Sequence, residues 1–117
     1  MIFISRFNRH EAFRYEFVPA LYCFFKSLNG GNEAFDGEII DLSPRGLKLK
    51  SPIELPLNDI LYIDFGIMNQ ISVKGDIRWK KDYGTYFIYG VHLQNDEEIQ
   101  RQITYELKQY VKRRLVN

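Results

Sequence analysis

Ile71-Ser72-Val73-Lys74-Gly75-Asp76-Ile77-Arg78-Trp79-Lys80 is the stretch on which the fold turns. Ile71, Val73, Ile77 and Trp79 alternate with Ser72, Lys74, Asp76, Arg78 and Lys80. A period of two sets one face against a core and the other in water, which is the pattern of a half-buried strand. Trp79 closes the apolar set and is therefore expected in the core. Lys81-Asp82-Tyr83-Gly84 reads as a turn. Thr85 to Leu93, rich in aromatic and β-branched residues, is expected to pair back as a hairpin. Within it His92 falls opposite Val91 and Leu93, so it is expected to be exposed or locally hydrogen-bonded.

The same reasoning extends upstream. Tyr15 to Ser27 is a strand candidate with Pro19 near its beginning, and Asn29-Gly30-Gly31-Asn32 is a turn signal leading to a strand over Phe35 to Leu42. Leu47 to Lys50 alternates as a short strand, 52–59 is a proline-containing loop, and Ile60 to Phe65 is a further strand. Six short strands joined by glycine-rich turns predict an all-β core, a closed or nearly closed antiparallel barrel. The period then changes. Asn95 is placed to cap a helix over about 95–115, with Asp96-Glu97-Glu98 suited to the positive end of its dipole. Ile99, Ile103, Leu107, Tyr110, Val111 and Leu115 recur at helical spacing, and Lys112, Arg113 and Arg114 fall in the last turns. The stripe is wide enough to pack on the barrel or on a second copy, which leaves a homodimer open. Two regions are expected: a flexible, arginine-bearing segment over 1–14, and the barrel with its helix over 15–117.

Composition narrows the function classes. The 117 residues suit one core, and 45% hydrophobic with 15% aromatic content argues against disorder. A net charge of +1 supplies no global field for general binding of DNA or RNA. Cys23 is the only cysteine, which excludes an internal disulfide and a cysteine-based metal cluster. His10 and His92 stand at no metal-ligand spacing, so no metal or cofactor is expected. The simplest setting is reducing and cytoplasmic. Arg6 and Arg9 interrupt the apolar start, which does not read as a signal peptide, and the apolar run from Val18 to Phe25 is too short to span a membrane. Ser43 sits in no nucleophile elbow, the acidic residues show no calcium-loop spacing, and no phosphate-binding Gly-x-x-x-x-Gly-Lys loop is present. The chain does not read as an enzyme.

Two stretches carry binding chemistry: Arg9-His10-Glu11-Ala12-Phe13-Arg14 and Asp41-Leu42-Ser43-Pro44-Arg45-Gly46. Guanidinium groups pair bidentately with phosphate and with the O6/N7 edge of guanine. A carboxylate at Asp41 can accept hydrogen bonds from N–H donors, such as those on the edge of a guanine. Ser43 can serve base or phosphate, and also pin the turn locally. Gly46 suits a positive φ or a close approach. Arg45 lies inside the turn with nothing to fix its direction. Taken by itself, the hexapeptide reads first as an ordinary turn between two strands, and its surroundings are what favour a ligand site.

The sequence resembles a PilZ domain. Asp41, Ser43 and Gly46 complete the family's Asp/Asn-x-Ser-x-x-Gly motif. Gly75-Asp76-Ile77-Arg78-Trp79 is similar to its glycine-x-valine-x-tryptophan strand, and Tyr89-Gly90-Val91-His92-Leu93 to its Tyr-Gly-Val strand. The resemblance implies a six-stranded β-barrel with a C-terminal helix and binding of cyclic di-GMP, a bacterial second messenger. The family's Arg-x-x-x-Arg motif maps its second arginine to Arg14 and its first to His10, with Arg9 just before it. Histidine lacks the guanidinium fork and is mostly neutral near pH 7. The implied ligand site is Arg9, His10, Arg14, Asp41, Ser43 and Gly46. Two readings follow: a cyclic di-GMP receptor that changes the surface it offers to a protein partner, and a degenerate PilZ module that binds protein without nucleotide.

Overall fold

A computed structural model describes residues 14–116 of the chain, and side chains through 114. The alternating stretches fold as six strands: β1 (Tyr15–Ser27), β2 (Phe35–Ser43), β3 (Gly46–Ser51), β4 (Ile60–Gly66), β5 (Gln70–Asp82) and β6 (Phe87–Leu93). One helix follows, α1 (Glu97–Val116). Every neighbouring pair is antiparallel, and the order β1-β2-β3-β6-β5-β4 closes through β4 onto β1. The expected barrel and C-terminal helix are both present. Each strand thus has a neighbouring strand on both sides.

Inward-facing residues of all six strands fill the barrel. Phe25, Ile39, Leu49, Leu61, Ile63, Ile77 and Tyr89 have no exposed surface. The phenol of Tyr89 donates to the Ile53 carbonyl at 2.7 Å and accepts from the Leu55 amide at 2.8 Å, which ties the 52–59 loop to the barrel. Cys23 is buried and unpaired in this core, and burial pushes its thiol pKa up to about 12. The Val18–Pro19 peptide is cis.

The β5–β6 turn lies further along than the sequence pattern suggested. Lys81 and Asp82 continue the β5 ladder, and the reversal is closed by the Tyr83 amide donating to the Tyr86 carbonyl at 2.9 Å.

Helix α1 packs its apolar stripe on the barrel. Ile103 and Leu107 are fully buried, and Tyr110 meets Tyr15 and Phe17 edge-on at 5.6 Å each. The cap differs from expectation. The Asp96 carboxylate accepts from the Ile99 amide at 2.9 Å, whereas the Asn95 side chain donates to the Pro44 carbonyl at 3.0 Å. Asp96 is therefore the N-cap, and it already carries the negative charge that the helix dipole favours.

Glu106 lies within the apolar stripe and is only 1% exposed. Its carboxylate accepts from the amides of Met68 and Asn69 at 3.0 and 2.9 Å, and from Asn69 Nδ2 at 2.9 Å. Burial pushes its pKa up, but these hydrogen bonds outweigh burial and hold it below the usual carboxylate range. A single charged side chain thus pins the middle of α1 to the β4–β5 turn.

Candidate functional site

Two bulges create the site. Ile39 pairs with Leu49 and Asp41 with Lys48, so β2 carries one extra residue, Ile40. Ile77 pairs with Val91 and Trp79 with Gly90, so β5 carries one extra residue, Arg78. An extra residue shifts the alternation and re-aims the side chains beyond it. Asp41 and Trp79 would each continue the inward set of a regular strand. Instead both turn outward, and Leu42 fills the core behind Asp41. Trp79 is 43% exposed, which corrects the expectation that it belongs to the core.

The cross-strand pairs then align Asp41, Lys48, Gly90 and Trp79 in one row over β2, β3, β6 and β5. A second row runs Gly46, His92, Asp76. The Trp79 indole lies directly on Gly90, where a Cβ would fall 2.0 Å from its Nε1. No other residue leaves space for the ring at that position.

The Asp41 to Gly46 turn sits at the rim of this surface. Arg14, immediately before β1, donates from Nη1 to Asp41 Oδ1 at 2.5 Å. Lys48 Nζ stands 3.6 Å from Asp41 Oδ2. Covered by these two cations, Asp41 is only 6% exposed. Ser43 is completely buried, and its hydroxyl pins the turn. It donates to the Gly46 carbonyl at 3.2 Å and accepts from the Gly46 amide at 3.1 Å and the Arg45 amide at 3.4 Å. The turn-pinning role expected of Ser43 is present in this geometry. Gly46 does not take a positive φ; among the described residues the glycines that do are Gly31 and Gly84. It is small because a Cβ would come within 3.2 Å of the Val91 carbonyl.

Among the described residues, a cleft of about 450 Å³ opens between the motif turn and Trp79. That volume suits a small-molecule ligand. Arg14, Arg45, Lys48 and Arg78 line it, against one lining carboxylate, Asp41, so the surface favours anions. Outside the lining, next to the cleft's far wall of Arg78 and His92, Asp76 accepts from Arg78 Nε at 2.6 Å and from Gln94 Nε2 at 3.3 Å, and lies 3.7 Å from His92 Nδ1. Burial pushes the Asp76 pKa up, but the bonds from Arg78 and Gln94 and the neighbouring charges hold it below the ordinary value. His92 is exposed at this wall, as its place in the alternation implied.

The structure therefore brings together Arg14, Asp41, Ser43 and Gly46. Arg9 and His10 lie outside the described residues. Lys48, Arg78, Trp79 and His92 join the cleft without having been singled out for it by the sequence. Lys48 and Trp79 become neighbours of the motif only through the strand order and the two bulges.

The family model of the PilZ domain matches residues 8–112. The chain belongs to the PilZ domain family. Among solved structures it is similar to MrkH of K. pneumonia in its apo state, with a TM-score of 0.69 and 18% identity over 93% of this chain. The chain spans 53% of MrkH. It is also similar to the PilZ domain of YcgR from Escherichia coli with c-di-GMP, with a TM-score of 0.67 and 16% identity, covering 90% of this chain and 95% of that one. The PilZ domain of CeSA from a cellulose-synthesizing bacterium gives a TM-score of 0.58 and 17% identity, covering 82% and 94%. At these identities the likeness establishes the fold. No curated protein sequence matches the chain significantly. Among the described residues no helix is long and apolar enough to cross a membrane.

Proposed function

We propose that the chain is a receptor for cyclic di-GMP, acting by binding rather than catalysis in a bacterial cytoplasm. The observation that carries this reading is the meeting of Arg14 with Asp41 at the rim of a basic cleft beside the pinned Ser43–Gly46 turn. The ligand has two phosphates and two guanines. Arg14, Lys48, Arg45 and Arg78 supply charge for the phosphates. Asp41 can exchange part of its contact with Arg14 and Lys48 for the donor edge of a guanine. The exposed face of Trp79 offers a base a flat apolar platform. Arg9 and His10, carried by the segment before Arg14, complete the ligand set. Closure of that segment over the nucleotide changes the surface offered to a protein partner, driven by the difference in ligand affinity between open and closed states.

The histidine at position 10 favours a second reading, the nucleotide-blind protein-binding module, because it removes one guanidinium fork from the Arg-x-x-x-Arg motif. Titration of the native chain with cyclic di-GMP, followed by Trp79 emission, separates the two. The receptor reading predicts a saturable change. It also predicts that Arg14→Ala and Asp41→Asn each weaken binding by about 10- to 150-fold, the equivalent of about 1.5–3 kcal/mol per charge-assisted contact. An unchanged emission together with no calorimetric heat sinks it.

A further inference from the structure

We infer that Asn95 couples the motif turn to the first turn of α1, so that occupancy of the cleft is read out at the N-terminus of the helix. Asp96 already supplies the cap, so Asn95 is not needed for one. Its Nδ2 reaches instead to the Pro44 carbonyl, between Ser43 and Arg45, at 3.0 Å. The next carbonyl, Arg45, accepts from the Leu93 amide at 2.9 Å. Two successive carbonyls of the turn are thus held by the end of β6 and the short connection that leads from it to α1. On the other side, Gln100 Nε2 donates to the Asn95 carbonyl at 3.0 Å, and the Gln100 carbonyl accepts from Thr104 Oγ1 at 3.0 Å. A continuous run of hydrogen bonds leads from Pro44 through Asn95 and Gln100 into the helix.

The Asn95 side chain is only half satisfied. Its Oδ1 is buried with no hydrogen-bond partner among the described residues. A buried, unpaired acceptor carries a standing cost. It also gives the amide a second arrangement to move to when the turn shifts and a donor comes within reach. An element with two arrangements, biased by a ligand at one end, is what coupling between sites requires. Asn95 is accordingly a positioning residue, acting on the ligand through the turn. The readout rests on the receptor reading above, whereas the coupling itself does not.

The test is amide hydrogen exchange on the full chain. Without ligand, Asn95→Ala is expected to speed exchange at Arg45 and Gly46 and at Ile99 and Gln100 together, by about 3- to 10-fold for one hydrogen bond lost. Met68 and Asn69, held by Glu106 further along the helix, keep their rates. Asn95→Asp, isosteric but lacking the donor, repeats the pattern. Gln100→Met speeds the helix amides and leaves the turn amides alone. Acceleration at only one of the two places in Asn95→Ala overturns the coupling, and so does a uniform acceleration that includes Met68 and Asn69. With saturating cyclic di-GMP, exchange at Ile99 and Gln100 changes in the native chain and stays fixed in Asn95→Ala. Native chain that binds nucleotide with these amides unmoved overturns the readout. Native chain that binds none defeats the receptor reading, and the ligand-free exchange still decides the coupling.

Discussion

Gly90→Ala probes the geometry of the cleft without any ligand. A Cβ at position 90 would lie 2.0 Å from Trp79 Nε1, 2.3 Å from Cε2 and 2.6 Å from Cδ1. These atoms belong to a rigid ring, so the indole has to leave its seat. Trp79 is 43% exposed, and the covered remainder of a tryptophan that buries up to about 150–250 Å² comes to about 85–140 Å². Exposing it at about 25 cal/mol per Å² costs about 2–3.5 kcal/mol as an upper bound. Alanine in place of a strand glycine returns about 0.5–1 kcal/mol, and the displaced ring recovers some contacts elsewhere. The expected net loss is about 1–2 kcal/mol, or a fall in Tm of about 4–10 °C. Trp79 is the only tryptophan, so its emission reports on this one place. The emission should shift to the red as the ring enters water. An unchanged spectrum and an unchanged Tm in Gly90→Ala would refute the placement of the indole on Gly90, and with it the account of the β5 bulge.

Glu106→Ala leaves the Met68 and Asn69 amides without their acceptor and should cost about 2–4 kcal/mol in urea unfolding. Because the folded-state pKa of Glu106 is lowered, its contribution is fully present above the unfolded value of about 4.3 and is lost as pH falls through the folded value. Glu106→Gln should therefore flatten the acid limb of the stability profile; an identical acid limb would count against the clamp. Cys23, with its thiol pushed up to about 12 inside the barrel, should resist thiol reagents at pH 8 in the native chain and react fully in denaturant. Rapid native labelling would contradict its burial.

Most of the barrel is legible in the sequence because half-buried antiparallel strands write their two faces into alternating residues. The strand centred on Ile71 to Ile77, the turn at 29–32 and the stripe from Ile99 to Tyr110 all appear where that logic puts them. The errors fall where one inserted residue changes the phase. Arg78 continues the alternation on paper, yet the ladder treats it as extra, and Trp79 comes out on the cleft side. Nothing local to Trp79 announces that. The pairing partner does, because Gly90 is the one place on β6 that could accept the ring. The motif turn was legible as a unit, and the pinning role of Ser43 was one of its two readings. Lys48 joins Asp41 only through the β2–β3 register. Asn95 and Asp96 are both competent caps, and the choice between them depends on Pro44, 51 residues upstream of Asn95. Glu106 carried a signal that went unread. A carboxylate between Ile103 and Leu107 on an apolar stripe is a buried charge in need of donors.

Calorimetric titration of the native chain with cyclic di-GMP, run beside His10→Arg, tests the central claim most directly. The receptor account predicts saturable heat in the native chain, with a gain in affinity when the guanidinium fork is restored at position 10. Heat in His10→Arg alone would contradict it, and would assign the native chain to the nucleotide-blind reading.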